Sequence, residues 1–488
     1  MKFNVQAIIK ITGVITVIIA LSIIPPFFVS LAYHEGAMQR GFLLTIAPLL
    51  AVGGALAFLT KPISTVIHMR EGVFIVAECW LLASLLGAAP YLLSGASDSF
   101  IDAFFESASA FSTTGATLIP DLASLPKSLL FWRSLTHWLG GMGILVFAIS
   151  ILPALGIGAL RIARAETPGP TLDKVSSRIS DSAKLLYIIY MSLSVVEFAM
   201  LAAGGMTPYE AAVHALASMG TGGLSSCSAG ISSFDSLYVE LVVGLFTVLA
   251  SVNFINYNEL LRRRWKEALK DSELRVFLAA IALFTLLFGL LLAPTGLYSS
   301  VPECFRQGFN QTVAMITTSG YVTTDYTLWP KIAKWLLFSL LLVGGCSSST
   351  AGGLKVVRVM VMLKVVGRNF YKRLHPRAVV PVKIGDKTYS AETVSGITAF
   401  ILTYFAVLLI CSLLLSLDGH SLSTTVSAAA AALSNNSIAF GELGFGSTYQ
   451  IFSAPARLLL SLAMIAGRLE LFTVIILLTP TYWRTERR

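Results

Sequence analysis

Apolar runs of about 20 residues or more, separated by short polar segments, dominate the chain. A helix of about 20 apolar residues crosses a hydrocarbon core of roughly 30 Å, so each run predicts a membrane span. Ten spans fit this pattern, and the first two lie at about 10–32 and 41–60. The other eight form four pairs: 72–94 with 128–156, 182–205 with 235–262, 274–294 with 330–366, and 391–417 with 453–479.

Each pair of spans encloses a weakly apolar segment that is too short to cross the membrane. These segments begin with small helix-forming residues and end in a polar break: FFESASAFSTTGAT (104–117), EAAVHALASMGTGG (210–223), FNQTVAMITTSGYVTT (309–324) and VSAAAAALSNNSIAFG (426–441). If Gly115, Gly222, Gly320 and Ser437 are equivalent, the pattern recurs about every 100 residues, which indicates an internal repeat. One such segment is typical of an extracellular turn, but four copies between spans predict four re-entrant loops around one axis.

The predicted fold class is therefore an all-α polytopic membrane protein. It has about ten transmembrane helices and four helix–pore loop–helix repeats, which are related by pseudo-fourfold symmetry around a cation pore. The predicted division of the chain is two N-terminal helices (1–65), repeat 1 (66–175), repeat 2 (176–268), repeat 3 with an intramembrane loop (269–385) and repeat 4 (386–488).

The chemistry of a re-entrant loop favours cations. Non-helical backbone at membrane depth is tolerated where it lines a cavity or is buried in protein. The carboxyl end of the half-helix carries the negative end of the helix dipole. Glycine then permits the positive φ that turns successive carbonyl groups inward, and rings of carbonyl oxygens can replace the hydration shell of a potassium-sized ion.

Composition supports a membrane protein and gives its orientation. Hydrophobic residues make up 55% of the chain and charged residues 12%, about half the charged share of a soluble protein. The first apolar run has no small-residue cleavage site, so we expect a retained helix rather than a signal peptide. Most of the 35 Lys and Arg residues can share one side, which predicts cytoplasmic N- and C-termini. We attribute the net charge of +9 to basic residues that set the membrane topology, and not to a surface that binds nucleic acid. The five cysteines form no CxxC motif and indicate neither a disulfide framework nor a metal site.

Several longer motifs give the chain a specific resemblance. They are HWLGGMGILVFAISILP (137–153), RAETPGP (164–170), GGCSSSTAGGLKVVR (344–358), HPRAV (375–379) and GRLELFTVIILLTPTYWR (467–484). Together with the four loops, they resemble the Trk/Ktr/HKT superfamily of potassium transporters, and the bacterial Trk-type membrane subunit in particular. The two extra N-terminal spans fit the Trk type better than the shorter Ktr or HKT forms.

The resemblance implies potassium uptake across the bacterial inner membrane through a gated, channel-like pore. It implies a transported potassium ion, no organic cofactor in this chain and no enzymatic activity. It also implies a homodimer with one pore per protomer, contact with membrane lipid, and a cytosolic nucleotide-binding (NAD or ATP) regulatory subunit of the TrkA type. No nucleic-acid partner is expected.

By match to the family's filter, the potassium ligands would come from four segments: Thr113, Thr114 and Gly115; Gly220, Thr221 and Gly222; Thr318, Ser319 and Gly320; and Asn435, Asn436 and Ser437. The fourth segment departs from the family, which usually has glycine where this chain has Ser437. In related plant transporters, a serine for glycine in one filter loop accompanies sodium permeation. A Cβ at this position disfavours positive φ by about 1 kcal/mol or more, so we expect one carbonyl group to turn away.

The long second span of repeat 3 is interrupted by a cluster of small residues, which breaks helices. The cluster comprises Gly344, Gly345, Cys346, Ser347, Ser348, Ser349, Thr350, Ala351, Gly352 and Gly353. The resemblance makes it an intramembrane gate below the filter, and a kinked helix is the alternative. Arg468 lies deep in the last span, where an arginine needs a partner or water. The resemblance places it in the gate, and a structural pair with Glu470 is the alternative.

Other embedded polar residues have simpler explanations. We expect Glu78 and Glu197 to make helix–helix hydrogen bonds, and His137 and His214 to be structural residues with satisfied hydrogen bonds. Lys355 and Arg358 could control permeation or anchor the helix at the cytoplasmic interface.

Three other functions stay open at this stage. The first is a sodium-permeable or sodium- or proton-coupled potassium transporter with the same architecture. The second is an alternating-access secondary transporter, although such proteins usually show two inverted repeats rather than four parallel ones. The third is a membrane-embedded enzyme, for which no catalytic constellation is apparent.

Overall fold

The two N-terminal spans pack closely against each other. A computed structural model describes residues 4–62, 67–143, 179–227 and 230–483. The helices of the first part are α1 (Val5–Ser22), α2 (Ile24–Ala32) and α3 (Gly36–Leu59). A Cβ on Gly13 of α1 would lie 2.5 Å from the backbone nitrogen of Ala57 in α3. Glycine therefore sets this close crossing, as small residues do in many membrane helix pairs.

Each of the next four parts of the chain folds as a long helix, a short pore helix and a second helix. Repeat 1 has α4 (Met69–Gly87), α5 (Ala89–Leu93), the pore helix α6 (Phe100–Phe111) and α7 (Lys127–Gly141). Repeat 2 has α8 (Ile179–Ala203), the pore helix α9 (Pro208–Met219), α10 (Leu237–Ser251), α11 (Phe254–Leu261) and α12 (Trp265–Lys270). The far part of the span predicted at 128–156 and the RAETPGP segment lie outside the described residues.

The last two repeats follow the same order. Repeat 3 has α13 (Ser272–Leu292), the pore helix α14 (Val301–Ile316), α15 (Lys331–Val343), α16 (Val356–Leu374) and a hairpin of β1 (Val382–Ile384) with β2 (Lys387–Tyr389). In the hairpin, antiparallel pairing places Lys383 opposite Thr388. Repeat 4 has α17 (Ala391–Leu415), the pore helix α18 (Leu422–Ser434), α19 (Ala454–Arg468), α20 (Phe472–Leu478) and α21 (Pro480–Trp483).

The predicted fold class is confirmed. Six helices or helix pairs among the described residues are long and apolar enough to cross a membrane, and two more spans are sharply bent pairs. The other second helices are α7 and α15 with α16. The chain is thus an all-α polytopic membrane protein with four copies of one helical pattern.

The second spans of repeats 2 and 4 are not continuous, contrary to the sequence prediction. The chain bends by 92° between α10 and α11 and by 115° between α19 and α20. In repeat 2 the side chain of Asn253 caps the new helix by accepting from the amide of Ile255. In repeat 4 Glu470 and Leu471 have positive φ, which ends the helix. The break predicted only for repeat 3 therefore has counterparts in repeats 2 and 4.

The repeats pack in a ring in which the second helix of one repeat contacts the pore helix of the next. The pairs are α7 with α9, α10 with α14, α15 with α18, and α19 with α6. Polar contacts fix two of these junctions. Asn310 of α14 donates to Glu240 of α10 at 2.9 Å, and Arg457 of α19 donates to Asp102 of α6 at 2.7 Å. The last repeat thereby closes onto the first.

Candidate ion pathway

All four pore helices are followed by a left-handed residue. It lies two residues beyond the helix in repeats 1 to 3 and directly after it in repeat 4, with φ of 59° at Thr113, 52° at Thr221, 55° at Thr318 and 54° at Asn435. Its amide donates to the carbonyl three residues earlier in every repeat. A left-handed residue stops an α-helix because it turns the chain away from the helix axis. We call this residue the first filter position, and the next two residues the second and third.

This geometry corrects the sequence alignment of repeat 2 by one residue. The third position has positive φ at Gly115, Gly223 and Gly320, with values of 77°, 67° and 70°. Gly223, and not Gly222, is therefore equivalent to Gly115. Gly220 has φ of −70° and caps the pore helix. The filter segment of repeat 2 is Thr221, Gly222 and Gly223, whereas the sequence had suggested Gly220, Thr221 and Gly222.

Neighbouring filter segments touch one another in chain order. A Cβ on Gly115 would lie 2.0 Å from the carbonyl oxygen of Gly222, and one on Gly223 would lie 1.9 Å from that of Ser319. A Cβ on Gly320 would lie 2.1 Å from the hydroxyl oxygen of Ser437. Asn435 returns to the first repeat by donating to Thr114 Oγ1 at 3.2 Å. The four segments thus form a narrow ring of carbonyl and hydroxyl oxygens, the groups that suit a dehydrated monovalent cation.

The fourth segment breaks the symmetry at its third position. Ser437 lacks the positive φ of its three glycine counterparts. Its carbonyl oxygen accepts from the hydroxyl of Tyr449 at 3.3 Å, and its own hydroxyl points toward Gly320. One carbonyl is therefore held by a tyrosine, and the fourth segment carries a side-chain hydroxyl at the position where the other three repeats have glycine.

Buried polar contacts hold the backbone that follows the filter. The hydroxyl of Tyr321 donates to the carbonyl of Leu224 at 3.1 Å, and that of Tyr326 donates to the carbonyl of Ala439 at 2.7 Å. In repeat 1, Glu106 accepts from the amide of Leu118 at 2.7 Å. Each loop is therefore fixed by side chains that lie outside the ring of oxygens.

The small-residue cluster of repeat 3 forms a buried loop directly against the filter. The amide of Gly352 donates to Thr318 Oγ1 at 2.7 Å, and a Cβ on Gly352 would lie 2.0 Å from the carbonyl oxygen of Ser434. The loop also binds the break in repeat 2, since the amide of Cys346 donates to the carbonyl of Ser251 at 3.0 Å. The carboxyl end of the segment Gly344–Gly353 thus packs against the third and fourth filter segments, and the rest of it packs against the break in repeat 2.

Arg468 lies beside this loop at the end of α19. Its guanidinium donates to the carbonyl oxygens of Thr350 at 2.6 Å and Gly140 at 2.8 Å, and also to that of Gly141. It therefore joins repeats 4, 3 and 1 at one level below the filter. Glu470 forms its ion pair with Arg358. The principal partner of Glu470 is therefore Arg358 and not Arg468, which the alternative interpretation had paired with it.

Lys355 and Arg358 lie inside the protein rather than at an exposed interface. Lys355 is 4% exposed and Arg358 is 6% exposed. Lys355 donates to the carbonyl of Ala351, and the guanidinium of Arg358 stacks 4.0 Å from the ring centroid of Phe400. These contacts tie the end of the loop to repeat 4, and they do not support an anchoring role at the membrane surface.

Sequence reasoning missed two residues of the site. Glu273, near the start of α13, accepts from the amide of Ser347 at 2.7 Å and from its hydroxyl at 2.6 Å. His137 is buried beside the second filter segment, and neither ring nitrogen has a hydrogen-bond partner among the described residues. The expectation of satisfied histidines therefore holds for His214, which contacts Ser225, and is wrong for His137. Glu273 belongs to none of the quoted motifs, and His137 begins the HWLGGMGILVFAISILP motif, whose sequence does not show that its side chain reaches the filter.

Four re-entrant helices, a ring of backbone oxygens and a buried loop below the ring define a channel-like membrane protein. The chain belongs to the family described as TrkH, cation transport protein, which it matches over residues 38–484. The Trk-type resemblance is thereby confirmed.

Three similar proteins show how far the likeness extends. The Trk system potassium uptake protein TrkH of Vibrio parahaemolyticus is 36% identical over 487 residues, which cover 98% of this chain and 99% of that protein. Its counterpart in Escherichia coli K12 is 34% identical and covers 98% of this chain and 99% of its own length. The crystal structure of the potassium transporter TrkH from V. parahaemolyticus superposes with a TM-score of 0.89 at 34% identity, covering 99% of this chain and 100% of that one.

Proposed function

We propose that this chain is the membrane subunit of a potassium uptake system and passes potassium ions through the ring formed by the four filter segments. The observation that carries this proposal is the contact of successive segments in chain order, with the third filter position of one against oxygen atoms of the next. Relatives over the full length are named potassium uptake proteins. The ligands would be the twelve residues of the corrected filter, with Gly223 replacing Gly220.

The barrier to flow would be the loop Gly344–Gly353 together with Arg468. The loop fills the space against Thr318 and Ser434, and the guanidinium places a fixed positive charge at the same level. A cation that leaves the filter would meet this charge at close range, where little water screens it. Conduction would therefore require both the loop and Arg468 to move aside.

A sodium-permeable variant of this function is the second candidate. It is favoured by Ser437, whose carbonyl is held by Tyr449. A ring that lacks one inward carbonyl coordinates a large dehydrated ion less completely, so its preference for potassium over sodium should weaken. The four parallel repeats argue against an alternating-access transporter, which usually contains two inverted repeats.

The cellular setting belongs to the same proposal. We place the chain in the bacterial inner membrane with cytoplasmic termini, because most lysines and arginines can lie on that side. Homodimer formation and control by a cytosolic nucleotide-binding subunit of the TrkA type are expectations from the family. The predicted boundaries of the four repeats also stay part of this proposal, and the chain itself would carry out no enzymatic reaction.

Potassium flux and reversal potentials under bi-ionic conditions, measured on purified protein in liposomes, test the proposal. The wild-type protein should conduct potassium better than sodium. Gly115→Asp and Gly320→Asp should each abolish uptake, because a side chain at either position collides with the neighbouring segment. Gly446→Asp is a matched control, since Gly446 also has positive φ but has open space around it. Normal growth of a transport-deficient strain on low potassium with Gly115→Asp would contradict the filter assignment.

A further inference from the structure

His137 occupies the place of a side chain that the second filter segment lacks. The residue is fully buried in α7, and a Cβ built on Gly222 would lie 1.4 Å from its Nδ1 and 2.3 Å from its Cε1. The imidazole therefore presses directly on the α-carbon of Gly222. Both ring nitrogens lack a hydrogen-bond partner among the described residues, and an unpaired buried polar group costs about 1–3 kcal/mol. Burial of the His137 imidazole beside Gly222 therefore lowers the stability of the fold.

The other three repeats carry a polar side chain at the second filter position. Thr114, Ser319 and Asn436 are the counterparts of Gly222 in the corrected register. The second segment alone of the four has glycine here. Glycine is the residue whose backbone rotates most freely, so this peptide unit needs an external restraint if its carbonyl is to keep one direction.

The packing of the ring identifies the helix position that can supply the restraint. His137 lies ten residues beyond the first residue of α7, and Thr247 lies ten residues beyond that of α10. Thr247 lines one cavity together with Ser319 of the following repeat. At the first junction, therefore, this helix position contacts the second filter position of the next repeat, and at the second junction both positions line the same cavity. At the first junction the large side chain, His137, belongs to the helix, and the filter segment has Gly222. At the second junction the helix carries the smaller Thr247, and the filter segment has the side chain of Ser319.

We propose that His137 is a specificity-determining residue that acts as the side chain of the second filter segment. Its imidazole blocks rotation of the Gly222 peptide and so keeps the Gly222 carbonyl oxygen against Gly115 in the ring. This inference rests on the proposed function, because it assumes that the ring selects the ion. His137 acts through Gly222 and need not touch the ion, so it is a positioning residue.

The proposal predicts a reciprocal rescue between helix and loop. His137→Ala should lower the potassium-to-sodium permeability ratio by about tenfold, which corresponds to roughly 1.4 kcal/mol of ion discrimination. Gly222→Ala alone should abolish uptake, because its Cβ has no room beside the imidazole. The double variant His137→Ala/Gly222→Ala moves a small side chain from helix to loop and should recover both uptake and most of the ratio.

Reversal potentials in liposomes, with size-exclusion profiles of each purified variant, test the inference. Thr247→Ala is the matched control, because Ser319 keeps its own side chain and the ratio should be unchanged. A double variant that is folded but no more selective than His137→Ala would overturn the proposal, as would a wild-type ratio in His137→Ala. Gly115→Asp distinguishes failure of the filter assignment from failure of the role given to His137. If Gly115→Asp abolishes uptake while His137→Ala keeps the wild-type permeability ratio, only the inference about His137 fails. If Gly115→Asp leaves uptake intact, the proposed filter itself fails.

Discussion

Glu273 accepts a hydrogen bond from the backbone amide of Ser347 at 2.7 Å and another from that of Val357 at 3.3 Å. The same carboxylate thus binds both the intramembrane loop and the helix that follows it. Hydrogen bonds to charged groups contribute about 1.5–3 kcal/mol each. Glu273→Gln replaces one acceptor by a donor, so the closed position of the loop should lose stability.

The expected result for Glu273→Gln is a basal potassium flux that rises about tenfold for each 1.4 kcal/mol lost from the closed state. Tracer flux into liposomes without any regulatory subunit measures it. Glu267→Gln is the control, because the side chain of Glu267 is 62% exposed and pairs only loosely with Arg264. Deletion of residues 346–353 should give a still larger flux. A tight pore after that deletion would show that the loop is not the barrier.

Asp102 and Arg457 close the ring between the first and fourth repeats. The two side chains are 31% and 18% exposed, and a partly exposed pair of this kind contributes up to about 1 kcal/mol. Asp102→Arg and Arg457→Asp should each lower the melting temperature in detergent, and the double exchange should restore most of the loss. Glu259→Gln, which removes a more exposed pair with Arg264, should leave the melting temperature unchanged. Equal losses in the single and double variants would exclude a specific pair.

Gly223→Ala tests the corrected register of the second filter segment. Its Cβ would lie 1.9 Å from the carbonyl oxygen of Ser319, and positive φ adds a cost of about 1 kcal/mol for alanine. Potassium uptake should be lost. Gly419→Ala shares the positive φ but has open space around it, so it should retain selective uptake. Normal selectivity in Gly223→Ala would return Gly222 to the third filter position.

Ser437→Gly should raise the potassium-to-sodium permeability ratio. Glycine removes the hydroxyl beside Gly320 and permits the positive φ seen in the other three repeats. Tyr449→Phe should raise the ratio to a smaller extent, because it releases the Ser437 carbonyl without changing the filter sequence. Reversal potentials under bi-ionic conditions measure both variants. If neither variant changes the ratio, Ser437 does not weaken selectivity.

Glu442 gives the loop that follows the filter segment of repeat 4 a defined response to acid. Its carboxylate accepts from the amide of Ser421 at 3.2 Å, and His420 Nδ1 lies 2.6 Å away. The Ser421 amide first, and then His420, lower the pKa of Glu442 below its ordinary value of 4.5. A lowered carboxyl pKa stabilises the fold above the unfolded value, and this contribution is lost as the pH falls through the folded value.

The melting temperature of Glu442→Gln should therefore be lower than that of the wild-type protein at pH 7. The difference should begin to shrink as the pH falls below about 4.5, where the carboxyl of the unfolded chain takes up a proton first. It should disappear once the pH has fallen through the lowered pKa of the folded carboxyl. Thermal unfolding in detergent from pH 7 to about pH 3.5 measures this. A difference that stays constant over the whole range would show that the ionised carboxylate contributes nothing to the loop.

The general plan of the protein could be predicted from sequence because it depends on length and composition. Apolar runs of membrane length and four small-residue segments gave the spans, the pore helices and the broken second helix of repeat 3. The breaks at Val252 and Leu469 were missed because neither lies in a glycine cluster and both fall inside segments that are apolar on average. They arise from a capping contact and from positive φ, neither of which changes hydropathy.

The register of the second filter segment was missed for a related reason. Two adjacent glycines, Gly222 and Gly223, both satisfy a search for glycine after threonine. Aligning the first filter position instead, on Thr113, Thr221 and Thr318, would have given the observed register. No such signal existed for His137 or Glu273, because their partners Gly222 and Ser347 are distant in sequence and only the packing of the repeats brings them together.

The ring of repeats also has a consequence for biosynthesis. The pore helix of repeat 1 packs on α19 of repeat 4, and Arg457 is separated from its partner Asp102 by 355 residues. A ribosome makes the chain from its N-terminus, so the first filter segment must wait for nearly the entire protein before its neighbour exists. The oxygen ring, and Arg468 below it, can be completed only when the last repeat inserts. Filter and barrier thus assemble in the same late step, so a nascent chain should not acquire a selective pore before it acquires the means to close it.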